Sequence, residues 1–182
     1  MTVAAVVGAT GAVGREMVRI LEERSFPVDE LVLLASERTA GTRLPFRGQD
    51  VTVGLLSQDA LAGIDVALSS CGSSVAKSWL PAAAEAGTTC IDNSSAFRMD
   101  PDAALTIPEV NPESLEGRPK IVCVPNCTII TTLMALAPLH RAAGLRSPTP
   151  TMTCTLPSPR WPNTLLSNFG QRRPSAALTS SR

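Results

Sequence analysis

Short, wholly apolar runs alternate with longer amphipathic ones over most of this chain. Val3–Val7 is uninterruptedly apolar and stops at Gly8, which reads as a buried strand. Met17, Val18 and Leu21 then recur at helical spacing, predicting a helix over residues 12–24. The same reading gives a strand over 31–35, a hairpin over 43–53, a strand over 65–69, a helix over 74–86 and strands over 88–92 and 120–124. A last helix over 127–143 rests on Ile129, Leu133, Leu136 and Leu139. Strands that alternate with helices imply an α/β fold whose doubly wound, mostly parallel sheet is joined by right-handed crossovers. The period is lost in residues 147–182, where 6 Pro, 6 Ser and 6 Thr make half of the 36 residues. So little apolar pattern does not offset chain entropy. One folded domain over 1–146 and an irregular, disordered tail over 147–182 are expected.

Composition adds constraints. With 182 residues and 44% hydrophobic content, the chain can bury the core of one domain. No apolar run approaches the roughly 20 residues of a membrane helix, and the N-terminus runs straight into the first strand, leaving no room for a signal peptide. Cys71, Cys90, Cys123, Cys127 and Cys154 are odd in number and form no C-x-x-C pair, so neither a disulfide framework nor a metal site is expected. A reducing cytoplasm fits. Net charge is zero but uneven: residues 1–116 hold 16 acidic and 8 basic groups, residues 117–182 hold 8 basic groups and no acidic one. The basic residues are dispersed and lack aromatic interleaving, which argues against nucleic acid as a partner.

Candidate chemistry lies where strands meet helices. Gly8-Ala9-Thr10-Gly11-Ala12-Val13-Gly14 joins the first strand to the first helix. Its G-x-x-G-x-x-G spacing is a variant of the dinucleotide fingerprint, in which glycines make a tight turn and a pyrophosphate rests on the helix N-terminus. A Rossmann-like sheet follows from that reading. The second strand ends at Ser36-Glu37-Arg38-Thr39, beside the expected adenosine ribose. Arg38 between two hydroxyls suits a 2′-phosphate, so NADP is expected over NAD, with Glu37 pointing away. Ser69-Ser70-Cys71-Gly72-Ser73-Ser74 ends another strand and is expected to cap the helix after it, as a further cofactor-side loop or as an ordinary cap. Pro125-Asn126-Cys127-Thr128 puts a cysteine at the first turn of a helix. There, unpaired N–H groups and the dipole stabilise a thiolate that can attack a carbonyl. On those four residues alone, a small buried cysteine filling a helix–sheet contact is the favoured reading; the glycine turn at the N-terminus shifts the balance toward a nucleophile.

The glycine turn, Ala35–Gly41, Ile91–Asp102, Pro108–Pro112 and Pro125–Thr128 occur in the order and spacing of bacterial aspartate-semialdehyde dehydrogenases, which the chain resembles over about residues 1–146. The resemblance implies Cys127 as nucleophile. It implies NADP held by Gly8, Thr10, Gly11, Ala12, Val13, Ser36, Arg38 and Thr39, and substrate phosphate held by Arg98 and Asn126. The implied reaction is reductive dephosphorylation of aspartyl phosphate to aspartate semialdehyde, by a homodimer. An N-acetylglutamyl-phosphate reductase is a rival, against which Asn126 and the Asn93–Arg98 segment argue; a non-catalytic NADP-binding remnant is another. No match is found for the glutamine, second substrate arginine and catalytic histidine that the family carries in its later domain. His140, the only histidine, is expected to be structural. An altered reading frame near Arg146, a mis-assigned end or a genuinely short product would each explain this. The chain is therefore expected to be inactive alone.

Overall fold

The computed structural model of the chain describes residues 1–144. The tail expected over 147–182, with Cys154, lies outside the described residues. Eight strands, three α-helices and two short 3-10 turns are present among those described; the strands and α-helices are β1 Val3–Val7, α1 Ala12–Glu23, β2 Glu30–Ala35, β3 Arg43–Phe46, β4 Gln49–Leu55, β5 Val66–Ser69, α2 Ser73–Glu85, β6 Thr89–Asp92, β7 Ala104–Leu105, β8 Ile121–Cys123 and α3 Cys127–Ala143. They form one sheet in the order β3-β4-β2-β1-β5-β6-β8-β7. The β3–β4 hairpin is antiparallel and every other pairing is parallel.

The strand sequences follow from this arrangement. Strands covered on both faces read as continuous apolar runs, because alternate residues enter different layers. Ala4 and Val6 of β1 join one core with Val18 and Leu21 of α1 and with Leu44 and Phe46 of the hairpin. Ala5 and Val7 join the other core with Trp79, Leu80 and Ala83 of α2. The hairpin is fastened by Arg47, whose guanidinium donates to the carbonyls of Val28 (2.7 Å) and Phe26 (2.5 Å).

The sheet changes direction of growth at β1. The chain moves from β1 to β2 on one side, and returns past β1 to add β5, β6 and β8 on the other. Ligands of open α/β sheets bind outside the strand C-terminal ends at such a switch point. Here the opening lies between the turn after β1 and the loop after β5, and the two are joined: Ser70 donates its backbone N–H to the Val7 carbonyl at 2.9 Å, and its hydroxyl lies 3.3 Å from the carbonyls of Val7 and Gly8.

One local expectation is corrected, and two details lie beyond what the sequence pattern shows. Alpha-helix α2 is capped by Gly72 (φ +83°) with no side-chain cap; the hydroxyl of Ser73 pairs instead with that of Ser95 at 3.0 Å. The short edge strand β7 carries too few residues to show a period in the sequence. In α3 only Ala137 is fully buried, and Leu139, one of the four residues that predicted the helix, is 56% exposed.

Candidate active site

The glycine turn has a division of labour that can be measured. Gly8 adopts φ +85°, and a Cβ there would sit 3.0 Å from the backbone of Ser70, so both its conformation and its neighbour demand glycine. A Cβ on Gly14 would sit 2.2 Å from the Gly8 carbonyl oxygen, so this residue lets α1 pack against the turn. Gly11 is different. It caps α1 with an ordinary extended φ of −72°, and a Cβ would meet only the Gly8 oxygen, at 3.4 Å. Nothing among the described residues requires glycine there; the exposed ground beside it, above the free N–H groups of Ala12 and Val13, is a cradle that a side chain would fill. That is the fit expected of a pyrophosphate at a helix N-terminus.

The expected cofactor residues are brought together in part. The hydroxyls of Thr10 and Thr39 lie 2.9 Å apart, joining the glycine turn to the loop after β2. That loop is a tight turn in which the N–H groups of Thr39 (3.0 Å) and Ala40 (2.9 Å) bond the Ser36 carbonyl. Ser36, Glu37 and Arg38 are exposed at its tip, and Arg38 has no hydrogen bond or ion pair with the described residues. Thr39 is thus engaged with Thr10, while Arg38 is left as the uncommitted cation of this loop.

The second cluster lies across β6 and β8. Asp92 ends β6 fully buried, and its carboxylate accepts from the backbone N–H (3.0 Å) and hydroxyl (2.6 Å) of Ser94. This nucleates the loop that carries Arg98. The Arg98 guanidinium donates through Nε to the Val124 carbonyl at 2.9 Å and through Nη2 to the Asn93 carbonyl at 3.1 Å. The Val124 N–H in turn donates to the Asp92 carbonyl at 2.9 Å. Arg98 is therefore stapled to the segment that leads into Cys127, with the rest of its donor fork uncommitted.

Cys127 is the first residue of α3 and is exposed. Asn126 caps the helix: its Oδ1 accepts from the Thr128 N–H at 2.9 Å and lies 4.0 Å from the Cys127 sulfur. The capping role was visible in principle, since asparagine directly before an apolar helical run is an N-cap signature. The other cysteines are set apart. Burial, with the Asp92 carboxylate nearby, pushes the thiols of Cys90 and Cys123 up to about 12, against the opposing pull of Lys120 on the first and Arg98 on the second. Cys71 is half-buried, its sulfur taking the indole N–H of Trp79 at 3.4 Å. His140, partly buried, stands on the last turn of α3, at the opposite end of the helix from Cys127. Among the described residues there is no group of three or more His, Cys, Asp or Glu able to hold a metal ion, and no helix long and apolar enough to cross a membrane.

Comparison with known proteins points one way. Residues 3–118 match the family described as "Semialdehyde dehydrogenase, NAD binding domain". The chain is 51% identical over 145 residues to the aspartate-semialdehyde dehydrogenase of Aquifex aeolicus, covering 78% of this chain and 43% of that protein. It is 47% identical over 141 residues to that of Bacillus subtilis, covering 78% and 41%. The crystal structure of aspartate semialdehyde dehydrogenase II from Vibrio cholerae complexed with ASA superposes with a TM-score of 0.76 at 45% identity, over 79% of this chain and 48% of that one. The enzyme of Candida albicans, determined with NADP, superposes at 0.64 and 28% identity, over 79% and 48%. The chain thus spans less than half the length of these relatives.

Proposed function

Because the chain belongs to the semialdehyde dehydrogenase family and carries its NAD-binding domain, we propose that it is the NADP-binding and nucleophile-bearing part of an aspartate-semialdehyde dehydrogenase. The reaction is reductive dephosphorylation of L-aspartyl-4-phosphate to L-aspartate 4-semialdehyde, a step of lysine, threonine and methionine biosynthesis. The observation that carries the reading is the conjunction at the switch point. An open cradle at Gly11 adjoins the Thr10–Thr39 pair and the unpaired Arg38, while the stapled Arg98 holds the segment leading to Cys127.

Each residue has a role that its chemistry permits. Gly8, Thr10, Gly11, Ala12 and Val13 receive the pyrophosphate, and Ser36, Arg38 and Thr39 the ribose 2′-phosphate, for which a guanidinium fork is well matched. Bound NADPH supplies the hydride that brings the acyl group to the aldehyde level. Cys127 attacks the acyl-phosphate carbonyl as a thiolate; its sulfur–carbon bond forms as the carbon–oxygen bond to phosphate breaks. The N–H groups at the start of α3 stabilise the oxyanion. Arg98 binds the departing phosphate with the donors that its backbone contacts leave uncommitted. Asn126 contributes chiefly by capping α3 and so fixing those N–H groups. The chain supplies the NADP site and the thiol, and its sole histidine stands at the far end of α3 from Cys127.

Calorimetry with NADP and NAD tests the cofactor half. NADP should bind more tightly, and Arg38→Ala should weaken NADP by about 1–3 kcal/mol, the range for a hydrogen bond to a charged group, while leaving NAD nearly unchanged. Equal affinity of the unmodified chain for the two would overturn it.

A further inference from the structure

Arg15 closes the first turn of α1, its backbone N–H donating to the Gly11 carbonyl at 3.0 Å, and a cation is out of place there. The N-terminal end of a helix carries partial positive charge and favours anions, yet the first turn of α1 holds no acidic residue. Nor do the later carboxylates of the helix neutralise Arg15. Glu16 and Glu23 both pair with Arg19, and Glu22 accepts the Arg47 backbone N–H at 2.8 Å. Among the described residues, the exposed Arg15 guanidinium makes one hydrogen bond, from Nε to the Thr10 carbonyl at 3.1 Å. Its terminal nitrogens, Nη1 and Nη2, keep their donors open.

Helix geometry sets the direction of this side chain. Helical side chains lean back over the turn N-terminal to their own Cα, which brings Arg15 onto Thr10. The Thr10 hydroxyl lies 2.9 Å from that of Thr39, and Arg38 is the chain neighbour of Thr39. Two uncommitted guanidinium groups therefore adjoin one pair of hydroxyls, one brought by α1 and the other by the loop after β2. We infer that Arg15 is a further specificity-determining residue, which holds the 2′-phosphate of NADP together with Arg38; the inference rests on the NADP-binding role proposed above. A phosphate monoester carries about −1.5 to −2 charge at pH 7, more than Arg38 alone balances, and two guanidinium charges match it. Pyrophosphate is the poorer ligand for Arg15. Its cradle lies at Gly11 and the N–H groups of Ala12 and Val13, whereas Thr10 is tied to the ribose loop through Thr39. The Nε tether also holds the fork in place before the ligand arrives, so less side-chain freedom is lost on binding.

Calorimetry with NADP and NAD tests the assignment, because the two cofactors share the pyrophosphate and differ in the 2′-phosphate alone. Arg15→Ala should weaken NADP about tenfold or more, as expected for a hydrogen bond to a charged group, and NAD less than about twofold. Arg15→Gln keeps a donor for the Thr10 carbonyl but no charge. It should lose NADP affinity as the alanine variant does, which a residue that only braces the turn would not. Arg24→Ala removes the same charge from the far end of α1 and should leave both affinities unchanged. Arg15→Ala combined with Arg38→Ala should abolish the preference for NADP. Arg15, Arg24 and Arg38 are all exposed, so circular dichroism should show every variant folded. Equal losses for NADP and NAD in Arg15→Ala, or an undiminished NADP preference in Arg15→Gln, would overturn the assignment and leave the cofactor reading intact. An unmodified chain that binds neither cofactor, or both equally, would overturn the two together.

Discussion

The glycine turn offers a test in which stability and ligand binding come apart. Gly14→Ala introduces a Cβ at 2.2 Å from the Gly8 oxygen, 2.7 Å from the Ala9 Cα and 2.8 Å from the Gly8 carbonyl carbon. All three are backbone atoms, so no side chain can swing aside. Glycine to alanine in an unobstructed helix interior stabilises by about 1 kcal/mol, whereas overpacking a close contact costs about 1–3 kcal/mol and occasionally more. The contact is far inside any tolerable separation and involves a turn held by the Gly8 and Ala9 N–H bonds to Leu34, so the clash wins. The net loss should be about 1–2 kcal/mol, several degrees of Tm at roughly 2–4 °C per kcal/mol for a chain of this size. Gly11→Ala meets only an ordinary 3.4 Å contact at a permitted φ. Its stability should stay within about 0.5 kcal/mol, the loss of a favoured cap residue offsetting reduced unfolded-state entropy. Its methyl group, however, occupies the proposed pyrophosphate cradle, and NADP affinity should fall at least about tenfold, or 1.4 kcal/mol. Thermal melts and calorimetry on both variants read the two effects separately. A Gly14→Ala protein as stable as the parent, or a Gly11→Ala protein with undiminished NADP affinity, would refute the assignment of roles.

Two further outcomes are expected. Iodoacetamide should label Cys127 first and leave Cys90 and Cys123 untouched at neutral pH, as mapped by peptide mass spectrometry. Because the folded state holds those two buried thiols protonated to about 12 against an ordinary 9.0, the unfolded chain releases protons first, so stability should be level below pH 9 and decline between about 9 and 12; a urea midpoint that rises over that window would contradict the burial. Asn126→Ala removes the acceptor of the Thr128 N–H and should cost about 1 kcal/mol while slowing Cys127 labelling; Asn126→Asp should restore the cap, and a variant in which neither quantity moves would exclude the capping role.

Much of the sheet was legible in the sequence because strands covered on both faces need continuous apolar runs, and Val3–Val7 and Leu31–Ala35 supply them. The glycine turn was legible through its spacing and its place between a strand and a helix. What escaped notice depends on tertiary contact. Strand β7 is Ala104–Leu105, held against β8 and followed by a loop closed by buried Asn111, whose Oδ1 accepts from the Ile107 N–H at 2.8 Å and whose Nδ2 donates to the Leu105 carbonyl at 2.9 Å. No periodicity in two residues can announce that. Nor could spacing reveal that Thr10 and Thr39, 29 positions apart, would spend their hydroxyls on each other. The serines of Ser69–Ser74 suggest a side-chain cap by composition, but a glycine at positive φ already turns the chain into α2, which frees Ser73 to reach Ser95.

The same distinction governs how the candidate nucleophile is placed. Helix propensity puts Cys127 at a helix start, but it does not fix where that start lies relative to the sheet. That position follows from ties to β6 and the loop after it: the Val124 N–H on the Asp92 carbonyl, the Arg98 Nε on the Val124 carbonyl, and the Arg98 Nη2 on Asn93. The arginine proposed to bind phosphate is thus also part of the frame that carries the thiol. Loss of its side chain removes a phosphate ligand and loosens the approach to Cys127 together, and the two effects on any rate would not add as independent terms. Lysine at position 98 keeps a charge but has no planar fork to span two carbonyls. The physical requirement on this position is therefore the shape of guanidinium as much as its charge, because one side chain must satisfy two fixed backbone acceptors and still present donors outward.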